Sequence, residues 1–322
     1  IYYSPQEVLG IFDRENTDKT SKELFGTGDV KVISSFEEVR TADTLVIGVA
    51  TAGGKIPKSY RPIILEAISR GMNVIAPTHE FLTDDSEIKI AAEKNKVQLI
   101  DLRKNNEKEV AHRRGIRENC LRIQTVGNDC SLGKMIVSLE ITNNLKKRNL
   151  DAKFVATGQT GILIEGDGIP IDAVVGDYIN GAAEKLVLKN QHHDIIMIEG
   201  QGSLFHPRYS SVTLGLLHGS IPHGLIMCYE MGREYVAGME GIKLPSIEKA
   251  IEIYEQMASI MFPCKVIGIA INSRHFSKEE SDKERERIKR EFNLPACDVI
   301  RHGSDELADA IIEFQRKVIK KK

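Results

Sequence analysis

Residues 127–135 read GNDCSLGKM, between the apolar run CLRIQTV and the apolar-periodic stretch KMIVSLEITNNLKKR. A glycine-rich turn from a strand into a helix gathers several backbone N–H groups and the positive helix end at one point, and Lys134 adds a mobile cation. Such a loop cradles phosphate. Gly127, Asn128, Asp129, Cys130, Ser131, Leu132, Gly133, Lys134 and Met135 are its candidate ligand-binding residues. The spacing from Gly127 to Gly133 is one residue longer than in GxxxxGK, which puts Asn128 in the first-glycine slot, where a residue tolerant of left-handed geometry is expected. Met135 stands where the motif usually has a Ser or Thr that holds Mg²⁺. Cys130 lies at a helix N-terminus, which is expected to lower its thiol pKa, yet a cysteine that simply fits the loop is the reading preferred to a nucleophile.

A second cluster lies in EGQGSLFHPRYSSVTLGLLHGSIPHG (199–224), read as a loop that follows a strand end on the ligand side. It holds Ser203, His206, Arg208, His218 and His223. Acyl transfer to an amine needs a base for the ammonium proton and donors for the developing oxyanion. His206 or His218 is the candidate base, Ser203 a candidate donor, and Arg208 a candidate clamp for a substrate carboxylate. Each histidine taken alone reads as an ordinary loop residue. The spacings of His206, His218 and His223 match no helix-face zinc motif.

These residues need strands and helices to position them, and apolar runs alternate with amphipathic segments along all 322 residues. QEVLGIFD, DTLVIGVAT, MNVIAPT and VQLID read as short buried strands, with YRPIILEAISRG and DDSEIKIAAEKNK as helices between them. From Cys120 the alternation restarts. CLRIQTVG, AKFVATG, HDIIMIEG, GLIMCYE, KVIGIAIN and ACDVI read as strands. KMIVSLEITNNLKKR, GDYINGAAEKLVLK, SIEKAIEIYEQMASIM, KEESDKERERIKREF and DELADAIIEFQRKV read as helices. The fold class is therefore α/β, two doubly wound domains with mainly parallel sheets, the C-terminal one P-loop NTPase-like, with ligands at the carboxyl ends of the strands. The expected domains are 1–112 and 113–322, joined by the charged stretch RKNNEKEVAHRRGIREN, read as a linker or exposed edge. In the first domain Asp13 ends a strand as a ribose-binding acid would, but no GxGxxG precedes it. TAGGK (51–55) reads as a turn and His79 as a loop histidine.

Composition bounds the rest. Hydrophobic residues make up 41% and charged residues 28%, and the net charge is −2, so nothing favours a nucleic-acid partner. The tail QRKVIKKK reads as the solvated end of a helix. No apolar run approaches a membrane span, and no signal peptide opens the sequence, whose first βα unit reads as clipped. Five scattered cysteines without a CxxC pair imply reduced thiols in a cytoplasm.

The loop GNDCSLGKM resembles the G-T-D-x-x-V-G-K-T loop of dethiobiotin synthetase and its relatives. KFVATG (153–158), IMIEGQGS (196–203) and GIAIN (268–272) resemble later blocks of the same proteins, in order. The resemblance implies nucleotide contacts from Gly158, Gly200 and Asn272, and Mg²⁺ held by Asp129, Glu199 and, less directly, Asp172. It also implies an ATP- and Mg²⁺-dependent ligase or carboxylase, or a nucleotide-sensing module without catalysis. A more extensive resemblance covers nearly the whole chain. GKM, FVATGQTGI, GIPIDAVVGDYINGAAE, EGQGSLFHPRYSSVTLGLLHGS and APTHEFL are similar to the D-glutamate N-acetyltransferase-like family, in which Met after Gly-Lys is normal. That family implies a Rossmann-like domain followed by a P-loop domain, and acetyl transfer from acetyl-CoA to the amino group of D-glutamate or a similar acidic amino acid. The phosphate ligand is then CoA or ATP, and P-loop relatives imply a homodimer or higher homo-oligomer.

Overall fold

The computed structural model describes residues 1–49 and 52–319. Thr51 of TAGGK and Lys320–Lys322 of the basic tail lie outside the described residues. The chain forms two compact units, Ile1–Lys104 and Asn105–Lys322.

In the first unit β1 (Ile11–Phe12) pairs parallel with β2 (Val32–Ile33), with α1 (Ser21–Phe25) between them. Helix α1 starts at a capping box in which Thr20 and Glu23 satisfy each other's backbone N–H. A separate parallel sheet holds β3 (Thr44–Val46), β4 (Asn73–Ala76) and β5 (Leu99–Asp101) in chain order. Helices α2 (Arg61–Ser69) and α3 (Ser86–Asn95) connect its strands, and Ile64, Ile68, Val74, Leu82 and Ile88 form its core. QEVLGIFD thus supplies only two strand residues, because Pro5–Glu7 coil into a short 3₁₀ turn with the proline at its start.

The second unit is built on a parallel sheet ordered β13-β12-β9-β6-β8-β7. Its elements are β6 (Leu121–Gly127), α4 (Lys134–Lys147), β7 (Ala152–Val155), α5 (Gln159–Glu165), α6 (Ile179–Asn190), β8 (Ile195–Ile198), α7 (Ser210–Ser220) and β9 (Gly224–Glu230). A hairpin, β10 (Tyr235–Val236) and β11 (Met239–Lys243), follows. Then come α8 (Ile247–Ser259), β12 (Lys265–Asn272), α9 (Lys278–Phe292), β13 (Ala296–Cys297) and α10 (Asp305–Val318). The chain leaves β6 toward β7 and β8 on one side, then returns to β9, β12 and β13 on the other. That reversal places a crevice at the carboxyl end of β6.

Every residue of β6 is buried, and so are those of β8, because helices cover both faces of the sheet. Val137, Ile141 and Leu145 of α4 pack with Leu307 and Ile311 of α10 on one face. Leu217 of α7, Tyr254 of α8 and Ile288 of α9 pack on the other. Residues 105–119 have no regular secondary structure but are not a free linker. The Glu184 carboxylate of α6 accepts the N–H groups of His112 and Arg113 at 2.8 Å each. A Cβ on Gly181 would come 1.9 Å from Glu109 O.

Three elements depart from the local reading. The stretch 199–224 is not one loop, because Ser210–Ser220 is helical. ACDVI contributes only Ala296–Cys297 to the sheet. GDYINGAAEKLVLK becomes α-helical only at Ile179, after a 3₁₀ turn. Among the described residues, no helix is long and apolar enough to cross a membrane.

Candidate functional site

The loop from β6 to α4 has the form expected of a phosphate cradle. Gly127 closes the strand where a side chain has no room: a Cβ would meet Leu132 Cδ1 at 2.6 Å and Cys228 O at 2.9 Å. Gly133 (φ +97°) and Ser131 (φ +55°) take the left-handed conformation. Asn128 does not, so the residue that tolerates the strained slot is Ser131. Asn128 instead has a buried Oδ1 without a hydrogen-bond partner, a leftover acceptor inside the loop.

Lys134 is the first residue of α4, 6% exposed, and its Nζ donates to Asp129 O at 2.8 Å. Burial lowers its pKa, so an anion arriving at the helix end would meet an ammonium that is poorly solvated and short of acceptors. Two neighbours fix the loop. Tyr254 Oη donates to Gly127 O at 2.8 Å, and Asn272 Nδ2 donates to Leu132 O at 3.0 Å. Met135 is partly buried and offers no oxygen.

On one side of the cradle stand Asp129, Cys130 and His206, with a ligand atom from each within 4.8 Å of the others. Their hydrogen bonds are already committed. Asp129 Oδ1 accepts from Cys130 N at 2.8 Å, and Oδ2 accepts from Ala237 N at 2.8 Å and Arg233 Nη1 at 3.0 Å. His206 Nδ1 accepts from Arg208 N at 3.2 Å. The proton therefore sits on Nε2, which lies 3.2 Å from Ala237 O. The Cys130 thiol pKa is raised, first by burial and then by the Asp129 charge. These outweigh the helix terminus and correct the expectation of a lowered value. Iodoacetamide should accordingly label Cys130 at neutral pH more slowly than it labels a free model thiol. Faster labelling would show a thiolate instead.

On the other side lies Glu199, at the end of β8 and 4% exposed. Its Oε2 accepts from Thr157 N at 2.8 Å and Gly158 N at 3.1 Å. Thr157 Oγ1 returns a bond to Glu199 O at 2.7 Å and accepts from Gln201 Nε2 at 3.2 Å. Burial pushes the carboxyl pKa up to about 7; the two N–H groups oppose this, and the Asp172 charge adds to it. The resemblance to dethiobiotin synthetase groups Asp172, less directly, with Glu199, and the two lie within electrostatic reach. A folded pKa near 7 against an ordinary 4.5 means the folded state keeps this proton longer than the unfolded chain does. This group's contribution to stability is therefore highest below pH 4.5 and falls as pH rises to 7, by about 3 kcal/mol in all. Unfolding in denaturant at several pH values should show that decline flattened in Glu199→Gln. An equal decline in both proteins would refute it.

Gly200 joins the two sides. Its N–H donates to Thr125 Oγ1 at 2.9 Å, and a Cβ there would lie 3.0 Å from Lys134 Cδ.

The remaining candidates fall elsewhere. His218 lies near the C-terminus of α7, with Nε2 2.9 Å from Met257 O. His223 precedes β9, is buried, and accepts from Arg122 N at 3.1 Å. Burial and the adjacent Arg122 push its pKa down to about 3. Since helices run opposite to the parallel strands, both histidines sit at the amino edge of the sheet, away from the cradle. Neither is placed to be the base. Ser203 is fully buried; its Oγ accepts from Phe205 N at 3.2 Å and shapes the turn. Arg208 is exposed, 3.8 Å from where a Gly238 Cβ would be. Asn272 serves the loop backbone rather than an open face.

In the first unit Asp13 accepts from Glu15 N and Asn16 Nδ2 in an exposed turn. Ala52–Gly54 form a 3₁₀ turn, and Gly54 O accepts the N–H groups of His79 and Glu80 from a loop distant in sequence.

Sequence reading did not find Arg233, Glu230 or Tyr254. Arg233 and Glu230 form E-x-x-R at the carboxyl end of β9, the strand next to β6. Strand order was the signal that could have found them.

Comparison with known proteins covers both units. A family model described as the DUF1611_C P-loop domain, of unknown function, matches residues 76–308, and the DUF1611_N Rossmann-like domain matches 14–105. A protein of Pseudoalteromonas sp called D-glutamate N-acetyltransferase is 41% identical over 269 residues, 83% of this chain and 80% of that protein. One of the same name from Tritonibacter scottomollicae is 37% identical over 281 residues, 86% of this chain and 84% of that protein. The crystal structure of a DUF1611 family protein from Anabaena variabilis matches with a TM-score of 0.91 at 32% identity. The match covers 97% of this chain and 94% of that one.

Proposed function

The chain belongs to the DUF1611 family, and on that premise we propose that it is an amino-acid N-acetyltransferase. It moves acetyl from acetyl-CoA to the amino group of D-glutamate or a closely related acidic amino acid. The observation that carries this most is the 41% identity to a D-glutamate N-acetyltransferase across 83% of the chain.

The cradle suits such a ligand. CoA carries an adenosine diphosphate with a further 3′-phosphate, and residues 127–135 offer backbone donors, a helix N-terminus and the buried Lys134. In the reaction the amine nitrogen attacks the thioester carbonyl carbon and the C–S bond breaks. CoA leaves as a thiolate that takes a proton, and the acceptor's ammonium proton goes to a base. Glu199 fits that base better than the histidines do, with a carboxyl that titrates near 7 beside the cradle. His206 is the second candidate and would first have to release its bond to Arg208 N. Arg208, exposed beside the hairpin turn, is the candidate clamp for the acceptor carboxylate. All five cysteines are free, in keeping with a cytoplasmic protein, and we place it there as a homo-oligomer.

The test is thiol release from acetyl-CoA without ATP. D-glutamate should trigger it and yield one N-acetylated product per thiol. Release that ignores D-glutamate would refute transfer to that acceptor, and an ATPase activity that Lys134→Met abolishes would favour the ligase instead.

A further inference from the structure

A P-loop ordinarily shares its work with Mg²⁺, held by a loop hydroxyl and nearby carboxylates and bridged to the phosphates. The residues here do not fit that ion. Position 135 is Met. Asp129 is 0% exposed and both its oxygens are taken, Oδ1 by a backbone N–H and Oδ2 by a backbone N–H and a guanidinium. Glu199 Oε2 faces two backbone N–H groups. Mg²⁺ demands octahedral oxygen ligands, and an oxygen that already accepts from Arg233 at 3.0 Å would set the ion against a second cation.

Arg233 is itself a built-in feature, with a side chain only 14% exposed. Beyond Asp129 it donates from Nη1 to Cys130 O at 2.9 Å, and from Nη2 and Nε to the two Glu230 oxygens at 2.9 and 3.4 Å. Its planar fork is spread over a loop carbonyl and two carboxylates, a geometry that lysine cannot copy. Arg274 adds a further contact to Glu230 at 3.0 Å. Setting Lys134, Arg233 and Arg274 against Asp129 and Glu230 leaves one surplus positive charge at the loop.

We propose that Arg233 is the resident cation of this site. Its guanidinium occupies the Oδ2 side of Asp129, so the cradle takes the phosphates of its ligand without a divalent metal. The proposal rests on the reading of residues 127–135 as a phosphate site.

Calorimetric titration with CoA and with ADP tests it, each in MgCl₂ and in EDTA. Wild-type Kd values should agree within about twofold between the two buffers, since no ligand oxygen needs the ion. Arg233→Met should bind either probe about tenfold more weakly in EDTA and recover part of that loss in MgCl₂, because Asp129 is then open to the metal. Arg233→Lys, charged but without the fork, should fall between. Melting temperatures without ligand check that the variants fold. If Arg233→Met does not fold, the two wild-type buffers and the lysine variant decide. Wild-type binding that is lost in EDTA overturns the proposal and leaves the cradle standing. Unchanged binding by Arg233→Met in EDTA overturns it as well. No binding of either probe in either buffer overturns the phosphate reading and this proposal together.

Discussion

Lys134→Met should bind CoA about 100-fold more weakly than the wild type, the worth of one or two charge-assisted hydrogen bonds to phosphate. The same variant should melt no lower than the wild type. The two expectations share one cause. Lys134 is 6% exposed, and its ammonium has a backbone carbonyl, Asp129 O, at 2.8 Å as its hydrogen-bond acceptor. Burial without full compensation lowers its pKa, so the folded protein bears a desolvation cost that an apolar side chain of similar length removes. Such a cost is typical of a site arranged for a ligand rather than for stability. Calorimetry with CoA and a thermal melt on the same sample check both parts. A large drop in melting temperature with affinity intact would mean that Lys134 is structural.

The second large effect is on folding. Gly200→Ala should destabilise by about 3 kcal/mol, or about 10 °C in melting temperature. The new Cβ would stand 1.8 Å from Thr125 O, a backbone atom of the neighbouring strand, so relief requires β6 and β8 to part at their carboxyl ends. That movement would also disturb the bond from Gly200 N to Thr125 Oγ1 and the Lys134 stem beside it. Gly241→Ala is the control, since nothing lies within 4 Å of its added Cβ. Equal melting temperatures for the two variants would contradict the packing described here.

The strand–turn–helix context of GNDCSLGKM was legible because each part is local. An apolar run, a glycine turn and a 3.6-residue periodicity lie within one stretch of chain. Glu199 was named only through the resemblance to dethiobiotin synthetase, as a metal ligand; its raised pKa depends on burial that local pattern does not show. What stayed hidden depends on neighbours distant in sequence. Arg233 meets Asp129 across 104 residues, and only the sheet order brings them together. The hairpin that carries Ala237 is short and largely exposed, with little periodicity to detect. His218 and His223 looked like partners of His206 because they are near in sequence, but a helix and a turn carry them to the other edge of the sheet. Cys130 was read from the helix terminus alone, whereas burial and Asp129 set its pKa. Local pattern reports secondary structure and buried strands; it does not report the burial of a loop thiol or the charge next door.

We propose that the cradle of residues 127–135 holds the phosphates of CoA. Thermal shift with CoA, acetyl-CoA, ADP and ATP, each with and without Mg²⁺, tests it most directly, because a ligand bound only by the folded state raises the melting temperature by mass action. CoA and acetyl-CoA should raise it without Mg²⁺, and Lys134→Met should lose the shift. A shift produced by ATP alone, and only with Mg²⁺, would show an ATP site in its place.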